Sequence, residues 1–225
     1  MLAIIQARFS SKRLEGKVLK KINNKFLLER VIDNVKCAKE VSRVIVATSK
    51  EMTDNKIFKF CKSKNIECYR GDLNNVYNRF YYLLKAVKDK SFVRICADSP
   101  FIDPYTIDYF IKFFKKNRYQ IVTNIFPRSF PKGQSIEIFN SKIFSKNFIK
   151  IKKRRHQEHV TPYFYENSKK FNIKNIKYFK NYSNLNFCVD TNRDIRLARK
   201  IAKKFDNFKN KKKFLESIIN FQEQI

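Results

Sequence analysis

The stretch QARFSSKRLEGK, Gln6 to Lys17, gathers Arg8, Lys12, Arg13 and Lys17 around Ser10, Ser11 and Gly16. It follows the apolar run LAII. A buried strand opening into backbone N–H groups and basic side chains suits a polyphosphate, because guanidinium and ammonium groups meet the phosphate oxygens and loop amides fill in between them. The stretch matches neither G-x-x-x-x-G-K-[ST] nor G-x-G-x-x-G. Charge alone therefore leaves two readings, a phosphate loop and a solvated basic turn. Further along, Arg128, Lys132 and Gly133 lie in a loop whose residue types suit a carboxylate or phosphate. Glu137, Glu158 and His159 have the groups to bind hydroxyls or assist a deprotonation. A buried structural histidine is an equal reading of His159, and Tyr163 and Tyr165 read as core or interface aromatics. The five cysteines are irregularly spaced with no C-x-x-C pair, which fits buried thiols rather than a zinc site or disulfide frame.

The elements that must carry these residues alternate along the first half. Strands are expected at Leu2–Ala7, Arg43–Ser49, Ile66–Gly71, Ser91–Asp98 and Tyr119–Asn124. Helices are expected at Phe26–Ala38, Asp54–Ser63, Val76–Val87 and Pro104–Lys115, the last with proline at its first position. Such alternation predicts a parallel α/β sheet with helices on both faces, and ligands then bind beyond the C-terminal strand ends. The Arg8–Lys17 loop, Arg70–Asp72 and Asp98 all fall there. Past Asn124 the pattern changes. Pro127–Phe139 reads as a loop with an extended segment, His156–Glu166 as a helix despite Pro162, and Phe171–Phe179 and Leu185–Thr191 as strands. Asp194–Phe205 and Lys211–Phe221 read as closing helices.

A chain of 225 residues is long enough for a sizeable core in one domain. It has no apolar run of membrane-spanning length and no signal-peptide pattern at its start, so the expected location is cytoplasmic. The net charge is +30, from 50 basic and 20 acidic residues. That balance suits nucleic acid, but abundant Lys, Asn, Ile and Phe with scarce Gly and Pro is also what A- and T-rich codons give. The charge is spread along the chain, so nucleic acid is not the expected partner.

The order of residues goes further than the charge. The opening resembles that of sugar-acid cytidylyltransferases, the branch with CMP-KDO synthetases, acylneuraminate cytidylyltransferases and SpsF-type spore-coat polysaccharide proteins. Their pattern is A-R-x-G-S-x-R-L-P-G-K, which Ala7, Arg8, Ser11, Arg13, Leu14, Gly16 and Lys17 match. Ser10 stands where glycine is usual, and Glu15 where proline is usual. YRGDLNNVYNRFY (Tyr69–Tyr81) resembles R-G-x-x-x-D-V-x-x-R-Y, and RICADSPFIDP (Arg94–Pro104) resembles R-I-x-x-D-C-P-L-I-D-P. FPKGQSIEIF (Phe130–Phe139) resembles F-P-x-G-x-D-V-E-V-F, with Ser135 at the aspartate. EHVTPYFYE and FCVDTNRD also have counterparts, so the likeness runs in order over nearly the whole chain and favours the SpsF-type branch.

The resemblance implies a three-layer α/β/α Rossmann-like nucleotide-diphospho-sugar transferase fold with a mostly parallel sheet. It implies one domain over 1–225, with a nucleotide-binding half at 1–124 and, at 125–225, an acceptor-binding half that is also the candidate dimerisation half. The implied reaction moves CMP from CTP to a sugar acid or phosphorylated acceptor and releases pyrophosphate. Arg8, Lys17 and Asp98 are the implied catalytic residues. Ala7, Arg8, Ser11, Arg13, Gly16 and Lys17 would hold the triphosphate, and Arg70, Gly71 and Asp72 the base or ribose, with Arg79 near them. Asp98 and Asp190 are the implied Mg²⁺ ligands; by position alone Asp98 is also a turn or cap residue, Asp190 a helix N-cap, and Asp103 a cap beside Pro104. Arg128, Lys132, Gly133, Glu137, Glu158 and His159 would receive the acceptor, and a homodimer is implied. Two other readings stay open: a GT-A-like glycosyltransferase, for which the D-x-D motif is missing, and a degenerate fold that binds polyanions.

Overall fold

In the computed structural model, which describes residues 1–11, 13–206 and 213–224, the apolar opening becomes β1 (Leu2–Gln6). Lys12 lies outside the described residues, as does the start of the expected Lys211–Phe221 helix. The chain continues through β2 (Lys21–Ile22) and β3 (Lys25–Phe26), a small hairpin, into α1 (Leu27–Cys37) and β4 (Arg43–Ser49). Then come α2 (Asn55–Ser63), β5 (Glu67–Gly71), α3 (Val76–Val87), β6 (Ser91–Cys96), α4 (Pro104–Lys116) and β7 (Ile121–Thr123). The second half adds β8 (Glu137–Asn140), α5 (Ser141–Lys146), α6 (Arg154–His159), α7 (Pro162–Glu166), β9 (Ile173–Asn175), α8 (Asn192–Phe205) and α9 (Phe214–Glu223).

The central sheet has seven strands in the order β5-β4-β1-β6-β8-β7-β9. β8 alone runs antiparallel, between β6 and β7. The pleat sends successive side chains to opposite faces. Ala3 and Ile5 of β1, Val44 and Val46 of β4, and Val93 and Ile95 of β6 join a core closed by α1, α2, α4, α8 and α9. Leu2 and Ile4, Ile45 and Ala47, and Phe92 join a second core closed by α3, α5 and α7. The second core is aromatic: Tyr77 stacks on Phe144 at 4.2 Å between ring centres, and Phe139 packs edge-on against Phe164. These are the expected three layers. β4 and β6 flank β1, so the strand order reverses there, the point beyond whose C-terminal strand ends such sheets bind ligands.

Three expectations need correction. The helix anticipated over His156–Glu166 is broken at Val160, which adopts φ 72°, and Pro162 starts α7 instead of sitting inside a helix. Leu185–Thr191 is no strand; it pairs at a single bridge, Lys132 to Asn186. β9 covers three residues of the expected Phe171–Phe179. At α8, Thr191 takes the cap, accepting from Asp194 N while the Asp194 carboxylate accepts from Thr191 N at 2.7 Å. Asp190 is thereby left out of the cap. Asp103 does cap α4, accepting from Thr106 N at 2.7 Å.

Candidate active site

Neighbouring strands hold the end of β1: Ala7 N donates to Ala47 O, and Ala97 N to Gln6 O, both at 3.0 Å. The loop that follows is tied down by a residue with no obvious signature. Asp54, fully buried, accepts from Phe9 N at 2.7 Å and from Thr48 Oγ1 and Ser49 N at 2.8 Å. Phe9 O then gathers the loop by accepting from Ser11 N and Gly16 N, both at 2.9 Å. Gly16 has φ 64°, and a Cβ there would lie 2.7 Å from the Phe9 ring. Glycine is required for its backbone and for that contact. Its N–H is given to Phe9, whereas the resemblance aimed it at phosphate. Lys17 follows, starting a 3-10 turn with its side chain pointing inward.

Three segments far apart in sequence meet at that ammonium. Lys17 Nζ lies 3.0 Å from Asp98 Oδ2 and 2.7 Å from Asp190 Oδ1. Arg13 reaches the other oxygen of Asp190 at 2.9 Å. Val189 N donates to Asp98 O at 2.9 Å, which locks the two acidic segments together. Burial by itself would lower the Lys17 pKa, but Asp98 and Asp190 outweigh it and hold the pKa above the ordinary lysine value. Arg8, more exposed, faces Glu158 at 3.6 Å. Among the described residues, the loop cations Arg8, Arg13 and Lys17 thus each face a carboxylate from Asp98, Asp190 or Glu158.

Two carboxylates converging on one cationic atom form a hard-oxygen donor set that fits a divalent cation. No group of three or more His, Cys, Asp or Glu among the described residues is placed to hold a metal. The remaining ligands would be phosphate oxygens and water, the usual habit of Mg²⁺.

Other expected residues have different partners. Arg70 donates to Ser49 O at 2.9 Å and Glu51 O at 3.1 Å, and lies over the Phe58 ring. Gly71 makes room for Arg79, whose Cγ would stand 2.7 Å from a Cβ at that position. Arg79 is fully buried and donates to Asp72 O at 2.6 Å and Ala47 O at 3.3 Å. Burial pulls its guanidinium down to about 10, against the opposing pull of Asp54 and Asp72. The Asp72 carboxylate accepts from Asn74 N and Asn75 N at 2.8 Å, forming a turn before α3. Gly71 and Asp72 line a cleft of about 780 Å³ with Lys50, Tyr69 and Tyr82 along the β5 edge.

On the β6–β8–β7 side, Glu137 is buried against Arg94 and accepts from the Tyr165 hydroxyl at 2.7 Å. Arg94 also donates to Gln6 Oε1 at 2.8 Å. Tyr165, expected to be a plain aromatic, therefore completes a polar cluster with Arg94 and Glu137. Arg128 donates to Ser135 Oγ at 2.9 Å. Lys132 is exposed, and Gly133, at φ 92°, would put a Cβ 2.8 Å from the Phe187 carbonyl carbon. His159 is exposed; the buried histidine is His156, 2.8 Å from Glu166.

Comparison with known proteins adds to this geometry. A family model described as cytidylyltransferase matches residues 2–224. An uncharacterised protein of Methanocaldococcus jannaschii is 33% identical over 209 residues, covering 92% of this chain and 84% of that one. The spore coat polysaccharide biosynthesis protein SpsF of Bacillus subtilis is 31% identical over 170 residues, covering 72% of this chain and 69% of that one. A solved cytidylyltransferase from Leptospira borgpetersenii superposes with a TM-score of 0.91 at 27% identity, covering 98% of this chain and 94% of that one.

Proposed function

The chain belongs to the cytidylyltransferase family and is a CTP-dependent nucleotidyltransferase, and on that premise we propose that it transfers CMP to a sugar acid or related acidic acceptor for a surface polysaccharide. The observation that carries this reading is the convergence of Lys17, Asp98 and Asp190 at the strand switch. A nucleotidyl transfer needs a charged centre there, because an acceptor oxygen must approach the α-phosphorus of CTP while pyrophosphate departs in line. The polysaccharide role follows the likeness to SpsF.

Arg8, Arg13 and Lys17 bind the triphosphate, with Ala7, Ser11 and Gly16 shaping the loop around it. Arg70, Gly71 and Asp72 hold the strand ends against which base and ribose rest. Asp98 and Asp190 would hold Mg²⁺. When bound, that ion neutralises phosphate charge and orients the leaving group. Lys17, between those two carboxylates, is placed to donate to the phosphates. Residues 1–124 supply this nucleotide half. Residues 125–225 supply the acceptor half, where Arg128 and Lys132 meet an acidic group, Gly133 shapes the loop, and Glu158 and His159 meet hydroxyls. Glu137 acts through Arg94 and Tyr165 rather than by touching the acceptor. No helix among the described residues is long and apolar enough to cross a membrane. We assign a cytoplasmic homodimer, supported by exposed Phe126, Ile149 and Phe179 in the second half.

The test is pyrophosphate release from each NTP with Mg²⁺ against sugar acids and phosphorylated acceptors. CTP-dependent release is expected, with Lys17→Ala and Asp98→Ala each lowering kcat/KM by about 100-fold or more. Release with UTP or ATP at equal rates, or wild-type rates in both variants, would overturn the assignment.

A further inference from the structure

Of the carboxylates facing the loop cations, Glu158 alone comes from the acceptor half without being a candidate metal ligand. Its pairing with Arg8 spans 3.6 Å between side chains 45% and 35% exposed. A pair of that kind ordinarily contributes little to stability. What holds Glu158 there is less ordinary. Glu158 is the penultimate residue of α6, and two residues later Val160 adopts φ 72°, ψ −53°. Thr161 N donates to His159 O at 2.8 Å, which closes a γ-turn of the rare positive-φ kind. Val160 is fully buried and β-branched, the residue type for which such a backbone is most strained. Across the turn, His156 and Glu166 meet at 2.8 Å and clamp α6 to α7. Strain persists only where the surrounding structure over-determines it, and it concentrates at functional sites.

We propose that Glu158 is a resident counter-anion of Arg8, held by the Val160 turn in the place a triphosphate oxygen takes, so that CTP binds by displacing it. This rests on the cytidylyltransferase reading. Before CTP binds, the Glu158 carboxylate offsets the charge of Arg8. The pair is weak enough for the triphosphate to exchange with it. Its displacement sends a carboxylate back to the acceptor side each time the nucleotide binds.

The displacement has a signature that needs no acceptor: CTP affinity in the presence of Mg²⁺, measured by calorimetry. Glu158→Gln is expected to tighten CTP about two- to fivefold, the size of an exposed ion pair. In an Arg8→Ala background, which itself weakens CTP, the same substitution is expected to change nothing. Glu158→Asp keeps the charge but draws the carboxylate back, and is expected to tighten CTP as Gln does. Unchanged or weaker binding in Glu158→Gln overturns the proposal. So does a tightening that survives in Arg8→Ala, or a Glu158→Asp variant that matches wild type, since either would mark a diffuse charge effect. Wild-type protein that binds no CTP would instead sink the cytidylyltransferase reading itself, which separates the two failures.

Discussion

Lys17 is the most deeply buried of the paired loop cations. Its side chain is 11% exposed and contacts two carboxylates that are each about a quarter exposed. Removing it would leave Asp98 and Asp190 facing one another without a cation between them. Lys17→Met is therefore expected to lower unfolding stability by about 1–3 kcal/mol, read by chemical denaturation, the upper end being held down by the carboxylates' access to water. If the same two oxygens hold a divalent cation, Mg²⁺ alone should raise the melting temperature of Lys17→Met more than that of wild type. Equal shifts would remove Asp98 and Asp190 as joint ligands. The raised Lys17 pKa fixes the pH dependence. A cation whose folded pKa exceeds its unfolded value stabilises fully below the unfolded pKa, and that stability is lost as pH rises through the folded one. The gap between wild type and Lys17→Met should stay constant through neutral and mildly alkaline pH and close only above the ordinary lysine value of 10.5. At this scale the sequence was legible where order mattered. Arg8, Arg13 and Lys17 stand in a recognisable string, and Asp98 and Asp190 sit in motifs that resemblance alone could pair. Asp54 was invisible: its carboxylate acts on Phe9, 45 residues earlier, only because β1 lies beside β4.

The loop after β1 depends on its anchor. Asp54→Ala would strand the Phe9 and Ser49 N–H groups and the Thr48 hydroxyl in the interior, where each unsatisfied donor costs about 1–3 kcal/mol. Relaxation reduces that sum, and a loss of about 2–4 kcal/mol is expected from denaturation. CTP affinity should fall about tenfold or more as the loop loosens. A variant with lost stability and unchanged CTP affinity would show that the loop does not need Asp54 to bind. The elements themselves were readable where periodicity is strong: Arg43–Ser49 and Val76–Val87 form as expected, residue for residue. β8 was blurred because four residues between β6 and β7 carry little pattern, and its direction comes from its neighbours. The break at Val160 was unreadable because nothing in the local sequence asks a buried valine for a positive φ. Tertiary packing imposes it, between His156 and Glu166. Leu185–Thr191 has the composition of a strand, yet its bonds go to Lys132 and Asp98, which steer the chain past the sheet toward the site.

Across the whole molecule, the loop cations follow β1 and Asp98 follows β6, so the centre gathers where the strand order reverses around β1. Membership of the cytidylyltransferase family sets aside the glycosyltransferase alternative that the shared fold left open. It also recasts the charge of +30. Among the described residues of the centre, the loop cations Arg8, Arg13 and Lys17 are matched by Asp98, Asp190 and Glu158. The surplus therefore lies elsewhere on the surface, and the two should answer differently to salt. Non-specific binding to single-stranded DNA or heparin displaces condensed counterions, so it should fall steeply and linearly on a log–log plot between about 50 and 200 mM salt. CTP with Mg²⁺ enters a site whose Lys17 pairs are partly buried, and salt screens such pairs less. Its Kd should change by less than about tenfold over the same range, measured by calorimetry in one salt series with the polyanion binding. Parallel loss of both would mean that CTP is held by the same diffuse field as the polyanions, and that the pairs at Lys17 contribute no specific recognition. Divergent slopes would separate an enzyme site from the basic surface around it, with the +30 acting on encounter and solubility rather than on the choice of substrate.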